Sequence, residues 1–437
     1  MTHVERLFAL EQFGIKLGLD AMRRLLAGLG DPQQRWLCVH IAGTNGKGSV
    51  TAMVDTALRA AGWRTGRYTS PHLARLEERI AVAGVDVSPA TLDAVLGRVF
   101  ATVDALVADG VLAATPTFFE VSTAAAFVVF ADAAVDVAVV EVGLGGRFDA
   151  TNVVTPAVTA ITSIDFDHER HLGTTLAAIA GEKAGIAKPG VPMVVGALPD
   201  EARLVVERTA AERAAPLVSV PDTVVMSRTH DSSHAVLTIT TPVRRYPPVR
   251  LGLAGAHQAA NAAVAVRTLE VLAEVTPIRA DADAILDGLR DVRWPARLEW
   301  LRRRRDDARL LVDAAHNPAG ARALASYLEE AGMPAVTLVT SVMRDKDVAG
   351  VLTPLVAHAA AVVATRAASS RATAAGELAE AVARLVPAGL PVTAIDDPWT
   401  AVHHALDGPH PVVIAGSIFL VGPLREALLT RGGFEPA

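Results

Sequence analysis

Cysteine is nearly absent from this 437-residue chain. The single one, Cys38, excludes any disulfide within the chain, and its place in the apolar run WLCVHI marks a buried, unreactive thiol. Aromatic residues make up only 4%. Uninterrupted apolar runs are also lacking, since none reaches the roughly 18 residues of a membrane span. The nearest, AAAFVVFADAAVDVAVVEV, is broken by Asp132, Asp136 and Glu141 into a helix and a strand. An excess of positive charge is missing too. Lys and Arg number 41 against 47 Asp and Glu, a net of −6, which offers no overall field for nucleic acid. An anionic small molecule must then be met by local donors. The opening MTHVERLFALEQFG has charges inside its apolar run, which is not the form of a signal peptide. Together these absences predict a cytoplasmic protein without nucleic-acid or membrane partners.

What is present is a globular, alanine-rich composition, 51% hydrophobic and 20% charged. The length exceeds one ordinary core and predicts two domains, with three as the alternative. Apolar β-branched strands alternate with alanine-rich helices, the pattern of parallel α/β architecture. WLCVHIAG reads as a strand and GKGSVTAMVDTALRAAG as a helix stopped at Gly62. TFFEVSTAAAFVVFADA then reads as a helix and VDVAVVEVG as a strand, with further strands at AVTAITSID and VPMVVGA. The character changes at DVRWPARLEWL, which predicts a boundary near residue 295 and domains 1–295 and 296–437. The four arginines 302 to 305 suggest a phosphate patch, but Asp306 and Asp307 beside them make a solvated hairpin turn the better reading. A second α/β set follows, with a helix from Pro318 and strands AVTLVTS, AAVVAT, PVTAID and PVVIAGS.

Several segments carry candidate chemistry. HIAGTNGKGSV places a glycine turn, Lys47 and Ser49 between a strand and a helix. Its spacing is not that of the common phosphate loop: only Thr44 and Asn45 separate Gly43 from Gly46, and Gly48 intervenes before Ser49. The order still suits a phosphate cradle, because glycines let backbone N–H groups converge on an anion and the helix start adds positive potential. Glu141 ends a strand, where α/β proteins place ligands, and a carboxylate there can hold magnesium. SIDFDHERHLG offers Asp165, Asp167, His168, Glu169 and His171 after the next strand. Lys183 lies in a small-residue helix; a stem reaching solvent and a lysine beside phosphate are both open readings. Ser70, held out of helix by Pro71, and His72 sit on a loop. In the second half, Asp313 ends a strand and His316 and Asn317 precede a proline-started helix that Asn317 can cap. Arg297 reads as a surface residue or a phosphate clamp.

In combination these segments resemble the folylpolyglutamate synthase and dihydrofolate synthase family, the folate branch of the Mur-type amide ligases. The resemblance runs from about residue 13 to residue 423. It rests on HIAGTNGKGSV, TSPHL, ERI, TFFEVSTAAAF, VVEVGLGGRFDATNV, DHERHLG, EKAGIAKPG, HQAANA, RLE, DAAHNP and GSIFLVG in that order. It implies a P-loop ATPase-like first domain with a mostly parallel sheet and a smaller Rossmann-like α/β second domain. Gly43, Thr44, Asn45, Gly46, Lys47, Gly48 and Ser49 are implied to bind ATP, together with Asn261, Arg297, Asp313 and His316. Ser70, Glu141 and His168 are the implied magnesium ligands, with Ser49 a further candidate. Lys47, Lys183 and His168 are the implied catalytic residues, and Lys183 matches a lysine that becomes carbamylated. Thr117, Phe118, Phe119 and Glu120, with Phe148, Asp149 and Ala150, match segments that hold the pterin-bearing substrate. The implied cofactors are ATP and Mg²⁺, with a second magnesium or a monovalent cation as options, and a monomer is expected. Two positions depart from the family pattern: Ala296 before Arg297 and Ala314 after Asp313, where glycine is common. Lys346, between Asp345 and Asp347, keeps a family motif whose role is left open.

The implied reaction transfers the γ-phosphoryl group of ATP to a substrate carboxylate and lets the amino group of L-glutamate displace phosphate. The acceptor is dihydropteroate, a reduced folate, or both, and the retained TFFE and FDA segments favour both. A monofunctional folylpolyglutamate synthase is the alternative. Groups from both domains are implied to meet the nucleotide, so domain closure is expected to assemble the site. A cell-wall Mur ligase is the nearest rival, but it carries an extra domain before its loop and a Thr or Ser directly after its lysine. A non-catalytic nucleotide-binding module would be expected to lose Lys47, Glu141, His168 or Lys183, and all four are present. A generic ATPase differs in releasing phosphate without glutamate.

Overall fold

The computed structural model describes residues 2–14, 18–231, 234–333, 335–387 and 389–437. Its first sheet is built from β1 (Leu37–Ala42), β2 (Thr65–Tyr68), β3 (Ile80–Val82), β4 (Val85–Asp86), β5 (Val137–Glu141), β6 (Val158–Ile161), β7 (Met193–Val195) and β8 (Leu217–Ser219). The strand order is β4-β3-β2-β5-β1-β6-β7-β8. From β2 to β8 all neighbours are parallel, and β3 and β4 form an antiparallel edge. Helices cover both faces, so the central strands read as unbroken apolar runs rather than alternating ones. Alternate residues of β1 feed opposite cores: Val39 and Ile41 meet the helices Lys47–Ala60, Ala256–Val275 and Ala282–Asp291, and Cys38 meets Phe118–Asp132. Successive side chains of a strand point to opposite faces, which produces this division.

A small antiparallel sheet, β9 (Val225–Asp231), β10 (His234–Thr240) and β11 (Val249–Arg250), adds Leu237 and Ile239 to the first of these cores. Its polar anchor is Glu270, which accepts from Thr241 Oγ1 at 2.7 Å and Tyr246 OH at 2.8 Å and pairs with the buried Arg267.

The second large sheet comprises β12 (Glu299–Arg303), β13 (Arg309–Val312), β14 (Val336–Thr340), β15 (Ala359–Ala364), β16 (Val392–Ala394), β17 (Val412–Ala415) and β18 (Phe434–Pro436). Their order is β16-β15-β14-β17-β13-β12-β18, with only β12 antiparallel to its neighbours. Of the arginines 302 to 305, Arg302 and Arg303 end β12, and Arg304 and Arg305 lie in the exposed turn that follows. Arg303 forks onto Asp306 at 2.7 Å and 2.7 Å, and Arg304 reaches Glu435 at 2.8 Å. No helix among the described residues is long and apolar enough to cross a membrane.

Candidate active site

β1 lies between β5 and β6, the two neighbours reached by different crossovers. In open α/β sheets the crevice at such a switch point, beyond the carboxyl ends of the strands, receives ligands. The loop Gly43–Gly46 leaves β1 there and enters the helix Lys47–Ala60. Gly46 has φ +85°, and a Cβ on it would stand 2.3 Å from Asn261 Oδ1, so both backbone shape and space require glycine. The loop is pinned from β6: Thr44 N donates to Ser163 O at 2.7 Å, and Thr162 Oγ1 donates to Asn45 O at 2.6 Å. Lys47 Nζ donates to the carbonyls of Gly43 (3.0 Å) and Thr44 (3.1 Å).

Around the loop lies a cavity of about 350 Å³. Thr44 to Ser49, Ser70, Glu141, His168, Lys183 and Asn261 line it from the first domain, and Arg297, Asp313 and His316 from the second. The sequence-predicted nucleotide, metal and catalytic residues therefore meet at one place, with Gly43 just behind the lining. Glu141 is buried, and burial pushes its carboxyl up to about 7, with Lys47 opposing. Its nearest donor is Ser70 N–H at 3.4 Å, and among the described residues no cation stands within ion-pair distance. Lys183 is 4% exposed and donates to Gly43 O at 2.8 Å. Burial, helped by Lys47, lowers its ammonium to about 7.

The second domain brings its groups already bonded. Asp313 accepts from Leu298 N and Ala315 N, each at 2.8 Å, and burial holds its carboxyl above the usual range. His316 Nδ1 donates to Ala314 O at 2.9 Å, leaving Nε2 3.7 Å from Asp167. Asn317 caps the helix Pro318–Glu330 by accepting from Gly320 N, as its position predicts. It also donates to Asn45 Oδ1 and Asp167 Oδ2 at 3.0 Å each. Ala296 and Ala314, the two departures from the family's glycines, face each other, with Ala314 N donating to Ala296 O at 2.9 Å. Ala296 has φ +56°, which explains why glycine is the easier residue there.

Asp167 is the junction between the domains. Burial works against its charge, yet His168, Lys346 and His316 around it hold its carboxyl well below the ordinary value. Lys346 Nζ donates directly to Asp167 Oδ1, and Arg322 meets the neighbouring Asp165 at 2.8 Å. This gives Lys346 a contact that the sequence left open. Asp347 beside it caps the helix Val348–Val356, and Asp345 faces Arg371.

The expected pterin-holding segments stand apart from the cavity lining. Thr117 and Glu120 are bonded to each other in a capping box on the helix Phe118–Asp132. Phe119 packs on Gly143, whose neighbour Leu144 lines the cavity, and Phe118 stacks under Arg79 at 5.0 Å. Asp149 is buried and accepts from Leu144 N and Thr151 N, Phe148 sits under Arg147, and Ala150 is buried. These residues shape the loop Gly143–Arg147 rather than the cavity's polar surface.

Comparison with known proteins agrees with this geometry. The Mur ligase middle domain matches residues 41–269 and the Mur ligase glutamate ligase domain residues 296–418. A dihydrofolate synthase/folylpolyglutamate synthase of Bacillus subtilis is 37% identical over 353 residues, covering 80% of this chain and 81% of that protein. The structure of Mycobacterium tuberculosis folylpolyglutamate synthase complexed with ADP and AMPPCP superposes with a TM-score of 0.90 at 36% identity, covering 100% of both chains. That of E. coli FolC in complex with DHPP and ADP gives 0.87 at 28% identity, covering 99% of both chains. The chain thus belongs to the Mur ligase family, in its dihydrofolate synthase/folylpolyglutamate synthase branch, and is an ATP-dependent ligase that forms a carbon–nitrogen bond.

Proposed function

We propose that the chain adds L-glutamate to dihydropteroate and to reduced folates through an acyl phosphate. The carrying observation is that one cavity is lined by the compressed loop, Glu141 and Lys183 of the first domain and by Arg297, Asp313 and His316 of the second. ATP phosphates lie over Gly43 to Ser49, with Asn261, Arg297, Asp313 and His316 completing the nucleotide site. The γ-phosphorus bonds to a carboxylate oxygen of the acceptor as its bond to the β-bridging oxygen breaks, and ADP leaves. The glutamate nitrogen then bonds to the acyl carbon, a proton is lost, and phosphate departs. Lys47 turns from the loop carbonyls to the transferring group and offsets its charge, so catalysis comes from positioning and electrostatics. The acceptor enters beside the loop Gly143–Arg147, which Thr117 to Glu120 and Phe148 to Ala150 shape from behind, with Phe118, Phe119 and Phe148 the half-buried rings among them.

The donor set fits magnesium. A buried carboxylate without a cation, a serine on a loop and His168 supply few protein ligands, and Mg²⁺ takes the remainder from water and phosphate. Ser70, Glu141 and His168, with Ser49, would hold it, and it would supply charge neutralisation at the phosphates. Lys183, with its ammonium lowered to about 7, has the neutral amine needed to bond to CO₂, releasing a proton and leaving an anionic carbamate. One chain supplies every group of the cavity, so a monomer suffices; the same reading keeps the boundary at residue 295, between the two matched domains, and a cytoplasmic location.

The test is phosphate release with ATP and glutamate, comparing dihydropteroate with tetrahydrofolate as acceptor. Glutamate-dependent turnover of both is expected. Turnover of tetrahydrofolate alone would reduce the chain to a folylpolyglutamate synthase, and turnover of neither would sink the proposal.

A further inference from the structure

We propose that Trp294 is a positioning residue for the phosphate loop, giving Gly48 its seat and tying that seat to the second domain. Gly48 is the residue between Lys47 and Ser49 that distinguishes this loop from the common form. A Cβ on Gly48 would lie 2.9 Å from Trp294 Nε1, 3.0 Å from Cζ2 and 3.1 Å from Cε2. Contacts this close need the aromatic ring to move, so the loop's backbone rests directly on the indole edge. The ring is held in turn. The Arg67 guanidinium lies 5.0 Å from its centroid, and Arg67 is fixed by the buried Asp55 at 3.8 Å and by Asp86 at 3.5 Å. Trp294 does not line the cavity, so it acts through Gly48 on Lys47 and Ser49.

The chain after Trp294 belongs mechanically to the second domain. Ala296 N donates to Glu299 Oε2 at 2.8 Å, Ala296 O accepts from Ala314 N at 2.9 Å, and Leu298 N donates to Asp313 Oδ2 at 2.8 Å. Glu299 is itself clamped by Arg425 at 2.6 Å and 2.7 Å. Movement of that domain reaches Trp294 across two peptide units, and the same short segment carries Arg297 into the cavity. Seating of the second domain and shape of the phosphate loop are coupled through one indole.

The inference rests on the loop being the phosphate site, and the experiment separates the two. A fluorescent ADP analogue is titrated into the full chain, the variants Trp294→Ala, Trp294→Phe and Gly48→Ala, and the double variant Gly48→Ala/Trp294→Ala. Melting is followed in parallel, and KM for ATP is measured against kcat. Trp294→Ala is expected to weaken ADP binding and raise KM for ATP about tenfold, with Trp294→Phe restoring most of it. Gly48→Ala should cost about 100-fold alone, and much less in the Trp294→Ala background, where the added methyl enters vacated space. A parent that does not bind ADP overturns the phosphate site and this coupling with it. A parent that binds, with Gly48→Ala costing the same in both backgrounds, overturns the coupling alone. If Trp294→Ala does not fold, the cycle is run with Trp294→Phe, where the smaller ring should still relieve part of the Gly48→Ala loss; no relief overturns the coupling.

Discussion

The two sheets end at the same cavity but deliver charge to it in opposite conditions. Glu141 and Lys183 arrive from the first domain buried, each with one weak or neutral partner and no ion pair among the described residues. Asp313 and Asn317 arrive from the second with their oxygens already accepting backbone N–H groups. Burying an incompletely paired charge is costly, and Glu141 and Lys183 respond with values displaced to about 7; burial raises Asp313 too, but Arg297 and its two backbone N–H donors oppose the rise. In the proposed function a bound nucleotide with its cation would complete Glu141 and Lys183. Asp313, with both oxygens already bonded, needs less completion, and in the proposed function it and its neighbours fix where the nucleotide sits. The difference teaches that rate should be sensitive to the first set and affinity to the second.

The sharpest way to break this division is Lys47→Ala. Among the described residues its ammonium bonds only loop carbonyls, so folding should survive while kcat/KM for ATP falls about 100- to 1,000-fold, the scale for loss of one positioned charge or donor. Phosphate release alongside a melting curve checks it, and an unchanged rate would remove Lys47 from the chemistry.

Glu141→Gln should separate stability from activity. The carboxyl rises on folding from 4.5 to about 7. A raised value stabilises fully below the unfolded value, and that contribution is lost as pH rises through the folded one. Above about pH 7 the folded parent therefore carries a charge penalty that Gln lacks. The variant should melt higher than the parent at about pH 8, by a few degrees per kcal/mol, and the gain should fade toward about pH 5. Its magnesium-dependent turnover should be lost throughout. In the parent, kcat/KM should rise through about 7 as Glu141 ionises and Lys183 gives up its proton. A variant that melts lower at about pH 8 would show that the carboxylate is already satisfied.

The first domain's half of the site was legible because its signals are local. Strand, glycine turn, lysine and helix follow one another from His40 to Val50, Glu141 ends a strand and His168 follows one. Other features were hidden by distance. Asp167 and Lys346 lie 179 residues apart, so no spacing rule connects them, and Trp294 reaches Gly48 only through the fold. The small sheet of β9, β10 and β11 went unread in the sequence, although Leu237 and Ile239 alternate with Thr238 and Thr240, because it has no chemistry that draws the eye. TFFE carries two meanings at once. Thr117 and Glu120 three residues apart are a capping-box signature, which the structure displays, and the same stretch resembles a substrate segment. Local sequence specified the cap; only a bound acceptor can specify the second role.

The smallest expected effect tests the join between the two halves. Lys346 and Asp167 are 14% and 8% exposed, and Asp167 also takes Asn317 at 3.0 Å. Lys346→Met removes the strongest cross-domain donor but leaves that amide and the two histidines facing the carboxylate. Because several groups share the junction, the loss should be partial: KM for ATP up about tenfold, with kcat changed less. Asp167→Asn should cost a similar amount, and the double variant little more than either, since the partners act as one contact. If the two losses instead multiply, Lys346 serves the reaction by a route independent of Asp167. The division would then need redrawing, because a group of the second domain would be carrying charge for the chemistry and not for seating alone.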